Sequence, residues 1–413
     1  MFTNLLAVRQ TENTYRWVIL ALCALTPMIV LTLPNMSVPP LFATISDDIG
    51  LSLVEMGSIW GVKPFAGIFF AFIGGTLGDR FGSRTTLFFI CFTSGLAGIA
   101  RAFAVDFVTL LLASLALGTF QAIIPVMVFK VARQYFPPEQ LGMAGGVISV
   151  GFALGLLLGP LISTSVMLPA LGGWQQIFVF YGVLAVIVSV LWLVALPVEH
   201  VDESSPRPRL PLSDSLRHVI RLRQLWVLGI AGLGLNACFL GFSGYLPTYL
   251  KAIGWAELDA DRALSLFFVT SLLAVIPLTT LSDRLHIRRG FLIIGAIGLS
   301  VGIGALTFVE GAMIMITVAA TGVIFDALMS ISTTTVLEVD GVGGLYAGTA
   351  LGFVLMIRNL GGAFAPAVGN SLAVYGLSVP FLFWGGMGLL AVVMYIFAFK
   401  PGPAAMKEAA ATT

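Results

Sequence analysis

Charged residues are scarce in this chain. Only 10% of its 413 residues are Asp, Glu, Lys or Arg, whereas 58% are hydrophobic. The mean hydropathy is +1.01. Soluble domains carry about 25% charged residues, so this chain has too few charges to cover the surface of a soluble domain. The sequence therefore predicts an integral membrane protein.

Cysteine and histidine are also rare, and their positions argue against several kinds of site. The 3 cysteines lie in apolar stretches and predict no disulfide framework. The 3 histidines lie in polar linkers, so we expect no histidine metal site. The sequence has no phosphate-binding loop motif, and no membrane histidine stands ready to activate a nucleophile. We therefore expect no metal, no cofactor, no enzymatic activity and no nucleic-acid partner.

Long apolar stretches account for most of the chain. A helix needs roughly 20 apolar residues to cross the hydrocarbon core of a bilayer, and this length predicts twelve spans. The stretches are continuous rather than alternating, which argues against barrel strands. The approximate spans are 17–45, 55–77, 85–105, 107–134, 141–168, 174–197, 225–252, 262–281, 290–308, 312–336, 345–373 and 377–399.

The polar loops predict the orientation and the division of the chain. Lys and Arg concentrate in the loops on the side that holds both termini. The positive-inside rule therefore predicts cytoplasmic termini. The longest polar linker, 198–224, divides an N-terminal half (1–197) from a C-terminal half (225–413). The short loops favour a prokaryotic inner membrane, and we expect a monomer in contact with membrane lipids.

The two halves resemble each other in sequence at an offset of about 204 residues. Asp79 and Arg80 have counterparts in Asp283 and Arg284, and matching glycine and proline positions follow in the same order. Duplication explains such a series better than chance. Parallel repeats of six spans place a substrate site between the halves, near the bilayer midplane.

A glycine-rich turn between the second and third predicted spans concentrates charge. Residues 74–84 read GGTLGDRFGSR, in which Gly78 and Gly82 let the chain reverse within a few residues. Arg80 and Arg84 satisfy the positive-inside rule. We interpret the cluster and its second copy as a latch between conformational states. The alternative is that it only fixes the topology.

The segment GDRFGSR resembles the loop signature of the major facilitator superfamily of secondary transporters. Gly155, Gly159 and Pro160 in the fifth span resemble the glycine-proline motif of that family, which is usually associated with antiporters. The resemblance covers essentially the whole chain. It implies twelve helices in two six-helix halves that alternate access to a central site, with these glycines and the latch residues taking part in gating.

Three further stretches resemble the nitrate/nitrite and cyanate porters and related organic-anion carriers within that superfamily. They are YFPPEQLGMAGG (135–146), GYLPTYLKAIG (244–254) and LEVDGVGGLYAGTALG (337–352). The glycine signature of the nitrate porters is present in part, as RNLGG at 358–362. The resemblance implies an anionic substrate.

Two residues of opposite charge lie deep in predicted spans. Arg358 is roughly 20 Å from the start of the eleventh span, and Asp326 is at a similar depth in the tenth. A charge at such a depth costs at least about 2.5–3.5 kcal/mol. Either the two form a permanent ion pair, or Arg358 binds an anionic substrate while Asp326 carries a proton. The forked guanidinium suits carboxylates and similar planar anions.

Lys63 lies roughly 12 Å into the second span, where the alternative to substrate binding is snorkelling to the headgroups. The resemblance places the second and eleventh spans opposite each other, so Lys63 and Arg358 would make the cavity positive. Further candidates for substrate binding, each with a structural alternative, are Asn35, Gln121, Asn236, Asn359 and Tyr245. Arg101, near the end of the third span, is expected to be an interfacial anchor.

These observations predict a secondary transporter that moves a small organic or inorganic anion, coupled to protons by symport. The alternative is proton-driven efflux of amphipathic or drug-like compounds, which the motif in the fifth span favours. A membrane sensor that binds without transport is a third possibility.

Overall fold

The computed structural model describes residues 15–398, apart from 71–76, 78–79, 138–139, 197–211 and 286. Within this part, eleven helices are long and apolar enough to cross a membrane, and no strand occurs. The predicted all-α membrane protein is confirmed. The spans are α1 (Tyr15–Met36), α2 (Leu53–Phe70), α3 (Ser83–Arg101), α4 (Phe107–Tyr135), α5 (Leu141–Leu171), α6 (Trp174–Ala195), α7 (Arg223–Ala252), α8 (Glu257–Leu285), α9 (Arg288–Ala305), α10 (Ala312–Leu337), α11 (Gly343–Ser371) and α12 (Val379–Phe397).

Helix α2 occupies the first part of the second predicted span, and the remainder of that span falls in the gap at 71–76. It is the helix that the count of eleven leaves out. Gly78, Asp79 and the side chain of Asp283 also lie outside the described residues. A short helix, Val38–Ile49, follows α1, and another, Leu212–Ile220, lies in the predicted linker.

Prolines explain the irregular parts of the spans. A π-helical segment in α1 begins at Pro27, and α4 is interrupted between Gln121 and Ile124, just before Pro125. Proline has no backbone N–H and its ring crowds the preceding turn, which favours an irregularity at these two positions, whereas Pro64, Pro247 and Pro366 lie inside continuous helices. Spans α1 and α4 therefore bend or restart at defined positions.

Contacts divide the chain into two compact units. Unit 1 comprises Met1–Leu41 and Phe69–Ser204, and unit 2 comprises Phe42–Ile68 and Ser205–Thr413. The two units differ from the predicted halves in residues 42–68, which pack with α7 and α11 inside unit 2. The domain boundaries read from the sequence repeat remain a prediction.

Unit 1 is held together by close packing of α5 against α1. The glycine stripe of α5 makes this approach possible: a Cβ at Gly155 would overlap Thr32, and one at Gly159 would lie 2.7 Å from the Cβ of Met36. Small residues at such positions let two helix backbones approach closely. The glycine motif thus has a packing role, and its part in gating stays a prediction.

The glycine stripe offers a matched pair of substitutions. We expect Gly155→Ala to destabilise the protein, because the new methyl group meets Thr32 and the backbone of Leu33. Overpacking of this kind costs about 1–3 kcal/mol, so the melting temperature in detergent should fall by several degrees. Gly146→Ala on the same helix meets nothing within 4 Å and should leave it unchanged or slightly raised. Equal melting temperatures for the two variants would contradict this packing.

In unit 2, α12 packs on α7 and α11 through one tryptophan. Trp384 fits against Gly241 of α7 and Gly369 of α11, where a Cβ would overlap its ring. Its Nε1 donates a hydrogen bond to the carbonyl of Ala365 at 3.0 Å. The side chain is fully buried, and it fixes three spans relative to one another.

Helix α2 packs antiparallel to α11 within unit 2. A Cβ at Gly57 would lie 2.8 Å from the backbone of Ala367, and one at Gly67 would lie 2.8 Å from Nδ2 of Asn359. The residue numbers rise along α2 as they fall along α11, which gives the direction. The expected proximity of the second and eleventh spans is therefore present in this unit.

Candidate functional site

Arg358 lies on the face of α11 that packs against α7. A Cβ at Gly232 of α7 would lie 3.4 Å from the Cβ of Arg358, so the glycine leaves room for the arginine stem. The guanidinium interacts electrostatically with Tyr395 of α12. Tyr395 is fully buried, and its hydroxyl lies 3.4 Å from the Oγ of Ser332 on α10. Arg358 is thus a half-buried arginine between α7 and α12 within unit 2.

Asp326 does not neutralise Arg358. Among the residues that the structure describes, no acidic side chain forms an ion pair with that guanidinium. The backbone N–H of Asp326 donates to the Oγ of Ser271 on α8 at 3.0 Å. The permanent ion pair considered from the sequence is thus not the arrangement in this structure, which leaves both charges available for other partners.

Lys63 lies on α2, which packs against α11 in unit 2. The antiparallel contacts of α2 and α11 place Lys63 level with Gly361 and Gly362, about one helical turn or roughly 5 Å along the axis from Arg358. The Nζ of Lys63 lies 5.3 Å from the ring centroid of Trp60. That tryptophan is itself fixed by a 2.9 Å hydrogen bond from its Nε1 to the carbonyl of Leu240.

Two asparagines flank Arg358 and link helices. The Nδ2 of Asn236 on α7 donates to the backbone carbonyl of Arg358 at 3.1 Å. Asn359 packs against Gly67 of α2. Asn236 therefore forms a hydrogen bond between helices, which is the structural role considered for it, and it lies next to Arg358. Substrate contacts by either residue stay a prediction.

Asn35 and Gln121 belong to unit 1 and so do not join the cluster around Arg358 within unit 2. The Nδ2 of Asn35 donates to the Oε1 of Gln121 at 3.1 Å, and the Nε2 of Gln121 donates to the carbonyl of Val30 at 2.6 Å. These bonds tie α4 to α1. A role in substrate binding stays a prediction for both.

Tyr245 forms part of an aromatic cluster at the end of α7. Its hydroxyl donates to the carbonyl of Leu377 at 3.0 Å, and its ring packs with Tyr249, Phe381 and Trp384. The hydrogen bond and the ring contacts fix the side chain in one position. The cluster suits either of the two roles expected for Tyr245, an interface belt or a gate.

A cavity of 190 Å³ lies beside this cluster and is lined in part by Asp47, Tyr245, Thr248 and Asn370. The Nδ2 of Asn370 donates to the carbonyl of Leu53 at 2.7 Å. Its Oδ1 and the hydroxyl of Thr248 are buried without a hydrogen-bond partner among the described residues. The cavity therefore presents a few polar groups in a mainly apolar lining, and it is large enough for a small organic molecule.

The first copy of the latch is described in part. Gly82 adopts φ 76° at the start of α3, a conformation that favours glycine, which explains the residue type at this turn. Arg80 is exposed, with its guanidinium carbon 5.4 Å from the centroid of the Phe81 ring. The Nε of Arg84 is buried. With Gly78 and Asp79 outside the described residues, the latch stays a prediction.

Two arginines that follow the second copy of the latch, Arg288 and Arg289, make defined contacts. Arg288 forms an ion pair with Glu338 of the α10–α11 connection. Arg289 donates to the carbonyls of Tyr395 and Ile396, at 3.1 and 2.6 Å. A cation there satisfies carbonyls that the helix leaves without partners. The role of neighbouring Arg284 in gating stays a prediction.

The expectation that Arg101 is an interfacial anchor is wrong. Its side chain is only 2% exposed, and its guanidinium carbon lies 3.9 Å from the centroid of the Phe178 ring. The sequence does not show which way an arginine side chain points at the end of an apolar helix. Here the side chain of Arg101 is covered by α6. The sequence analysis also missed Asp261, which is fully buried 3.4 Å from the Nζ of Lys251.

Comparison with known proteins identifies the family. The model of the Major Facilitator Superfamily matches residues 20–339 and, a second time, residues 250–413. The chain belongs to this superfamily. The resemblance found in GDRFGSR and in the glycine-proline motif is thereby confirmed, together with the fold that it implies.

Several relatives within the superfamily are named as transporters of anions. A hexuronate transporter of Bacillus subtilis is 26% identical over 383 residues, which cover 86% of this chain and 88% of that protein. A probable nitrate/nitrite transporter, NarK2 of Mycobacterium tuberculosis, is 26% identical over 345 residues, covering 80% and 82%. The crystal structure of the nucleoside transporter NupG has a TM-score of 0.78 at 11% identity, covering 93% and 99%, and shows the fold alone.

Proposed function

We propose that this protein moves a small organic or inorganic anion across a membrane by alternating access, coupled to protons. Arg358 is the principal anion-binding residue, and Lys63 adds a second positive charge about one turn away. Asn236 and Asn359, which flank Arg358, would contact the bound anion through their amide groups.

One observation carries the proposal: Arg358 is a half-buried cation within a span, with no acidic partner among the described residues. A charge in such a place is costly unless it is hydrated or paired. An anion that enters with matching charge relieves that cost for as long as it stays. The hexuronate and nitrate/nitrite transporters among the relatives support an anion as the transported species.

Asp326 is the proposed site of proton coupling. Its carboxyl group lies in a span and forms no ion pair among the described residues, so it can be protonated without leaving an arginine unpaired. Both charges lie in unit 2. Proton binding at Asp326 changes the net charge near the anion, which is a direct way to couple the two.

The location and state of the protein complete the proposal. We propose a monomer in a prokaryotic inner membrane with both termini in the cytoplasm, because Lys and Arg concentrate in the loops on that side. The latch and the glycine stripe of α5 would adjust as the protein alternates between states.

A thermal-shift screen tests the substrate class. The panel contains hexuronates and other sugar acids, dicarboxylates, nitrate, cyanate and several cationic drugs. A ligand that binds only the folded state stabilises it, by about 2.7 kcal/mol at 100 times its Kd, and therefore raises the melting temperature. We expect one class of anion to stabilise the unmodified protein and to have no effect on Arg358→Gln.

The same screen distinguishes the alternatives. Stabilisation by hexuronates alone assigns a carboxylate substrate, and stabilisation by nitrate alone assigns a planar inorganic anion. Stabilisation only by amphipathic drugs, unchanged in the Arg358 variant, would favour the efflux alternative and contradict the proposal.

A further inference from the structure

Unit 1 contains a buried cation that the proposed transport site does not use. Arg101 at the end of α3 is 2% exposed, and the ring of Phe178 covers one face of its guanidinium. Of the residues that the structure describes, none forms an ion pair with it. Stacking on an aromatic ring offsets part of the cost of burying this charge. The rest requires an anion or water.

A small cavity adjoins this guanidinium. Its volume is 20 Å³, and its polar lining consists of Ser94, Arg101, Gln121 and Tyr181, surrounded by apolar residues of α1, α4 and α6. A space of this size holds about one particle as large as a water molecule. It cannot admit a sugar acid or another organic substrate.

The polar atoms around the cavity divide into two groups. Gln121 bonds to Asn35 and to the carbonyl of Val30, and the hydroxyl of Tyr181 lies 2.9 Å from that of Ser37. These groups therefore have partners. By contrast, the Nε of Arg101 and the Oγ of Ser94 are buried without a hydrogen-bond partner among the described residues. Arginine only donates, and a serine hydroxyl is free to donate.

No Asp or Glu is among the described residues that line the cavity. The surroundings thus offer a positive charge, a free hydroxyl, an aromatic ring and apolar walls. Water would accept the hydrogen bonds but leave the positive charge of Arg101 uncompensated. An anion accepts the hydrogen bonds and also compensates the charge. A monatomic anion is the kind that matches a space for about one water-sized particle.

We propose that a halide ion, chloride in the cell, binds between Arg101 and Ser94 as a resident counterion of unit 1. This site lies outside unit 2, which holds Arg358, and the ion is not the transported substrate. It stabilises the contacts of α3 with α4 and α6, and through Gln121 and Asn35 it supports the attachment of α1.

Chloride dependence of the melting temperature tests the site in the purified full-length protein. Raising chloride from about 1 to about 100 mM, with methanesulfonate keeping the ionic strength constant, should raise the melting temperature by about 3 °C or more. In Arg101→Met the rise should disappear. Arg262→Met, which removes an exposed arginine (54% side-chain exposure), is the matched control and should keep it.

Two further variants sharpen this test. Ser94→Ala should require several-fold more chloride for the same rise, because one of the two donors is lost. Arg358→Gln should keep the full chloride response, so that failure of the transport proposal and failure of this one remain distinguishable. A rise that is equal in the unmodified protein and in Arg101→Met would overturn the halide site.

Crystals grown in bromide provide a second measurement that needs no substitution. An anomalous difference peak between Arg101 and Ser94 is the expected result, since bromide replaces chloride at comparable sites and scatters anomalously. Density without an anomalous signal would assign water to the cavity and overturn the proposal, whatever the thermal data show.

Discussion

Arg358→Gln is expected to abolish anion transport while the protein still folds. Glutamine keeps an unbranched polar side chain, but it is shorter and lacks the charge and the fork that binds a carboxylate through two parallel hydrogen bonds. Hydrogen bonds to charged groups contribute about 1.5–3 kcal/mol each. Losing two of them lowers affinity by at least about 100-fold. Uptake at low substrate concentration should then fall to the level of empty vesicles.

The structure explains why this substitution need not unfold the protein. Removing one partner of a buried ion pair strands the other, at about 3–5 kcal/mol, but Arg358 has no acidic partner among the described residues. Asn236 bonds to the backbone of Arg358, so this link survives the change of side chain. The melting temperature of the variant without ligand should lie within a few degrees of the unmodified one.

Two controls complete this experiment. Arg358→Lys keeps the charge without the fork and should give intermediate transport. Arg262→Gln removes an arginine that pairs with exposed Asp259 on the same turn of α8, and it should transport normally. Normal transport by Arg358→Gln would show that the cation binding the anion is elsewhere.

Asp326→Asn is expected to remove the pH dependence of transport. Asparagine is nearly the same size and leaves the backbone bond to Ser271 intact, but it cannot bind and release a proton. Transport driven by an imposed proton gradient should therefore be lost. Exchange of labelled for unlabelled substrate across the membrane, which needs no net proton movement, should continue.

The pair of assays separates coupling from binding. The control is Asp259→Asn, which changes an exposed acid near the start of α8 and should leave both assays unchanged. If gradient-driven transport by Asp326→Asn keeps the pH profile of the unmodified protein, the coupling site lies on another residue. Loss of exchange together with coupling would indicate that Asp326 supports substrate binding as well.

Most of the fold could be predicted from the sequence, because length and hydropathy alone mark a span. The long apolar stretches predicted helices at positions that the structure bears out, as for α7 and α10. The resemblance implied that the second and eleventh spans lie opposite each other, but the grouping of residues 42–68 with α7 in one compact unit could not be predicted. It depends on contacts between distant segments, such as Trp60 with the carbonyl of Leu240, and no local pattern records such a pair.

The candidate site was predictable to a smaller extent. Arg358 and Asp326 stand out in sequence because a charge inside a span is expensive, and their depth follows from counting residues. Whether they pair does not follow, since pairing depends on the rotation of α10 and α11 about their axes. Arg101 shows the same limit: the direction of a side chain at a helix end is set by tertiary packing, here by Phe178.

Uptake into proteoliposomes tests directly whether the protein transports an anion that Arg358 binds. Purified protein is reconstituted, a proton gradient is imposed, and entry of a labelled hexuronate or of nitrate is followed in parallel for the unmodified chain, Arg358→Gln and Arg262→Gln. If Arg358 binds the transported anion, we expect saturable accumulation of one of these anions by the unmodified chain and by Arg262→Gln, and none by Arg358→Gln. Accumulation of that anion by Arg358→Gln at the rate of the unmodified chain would contradict this role of Arg358.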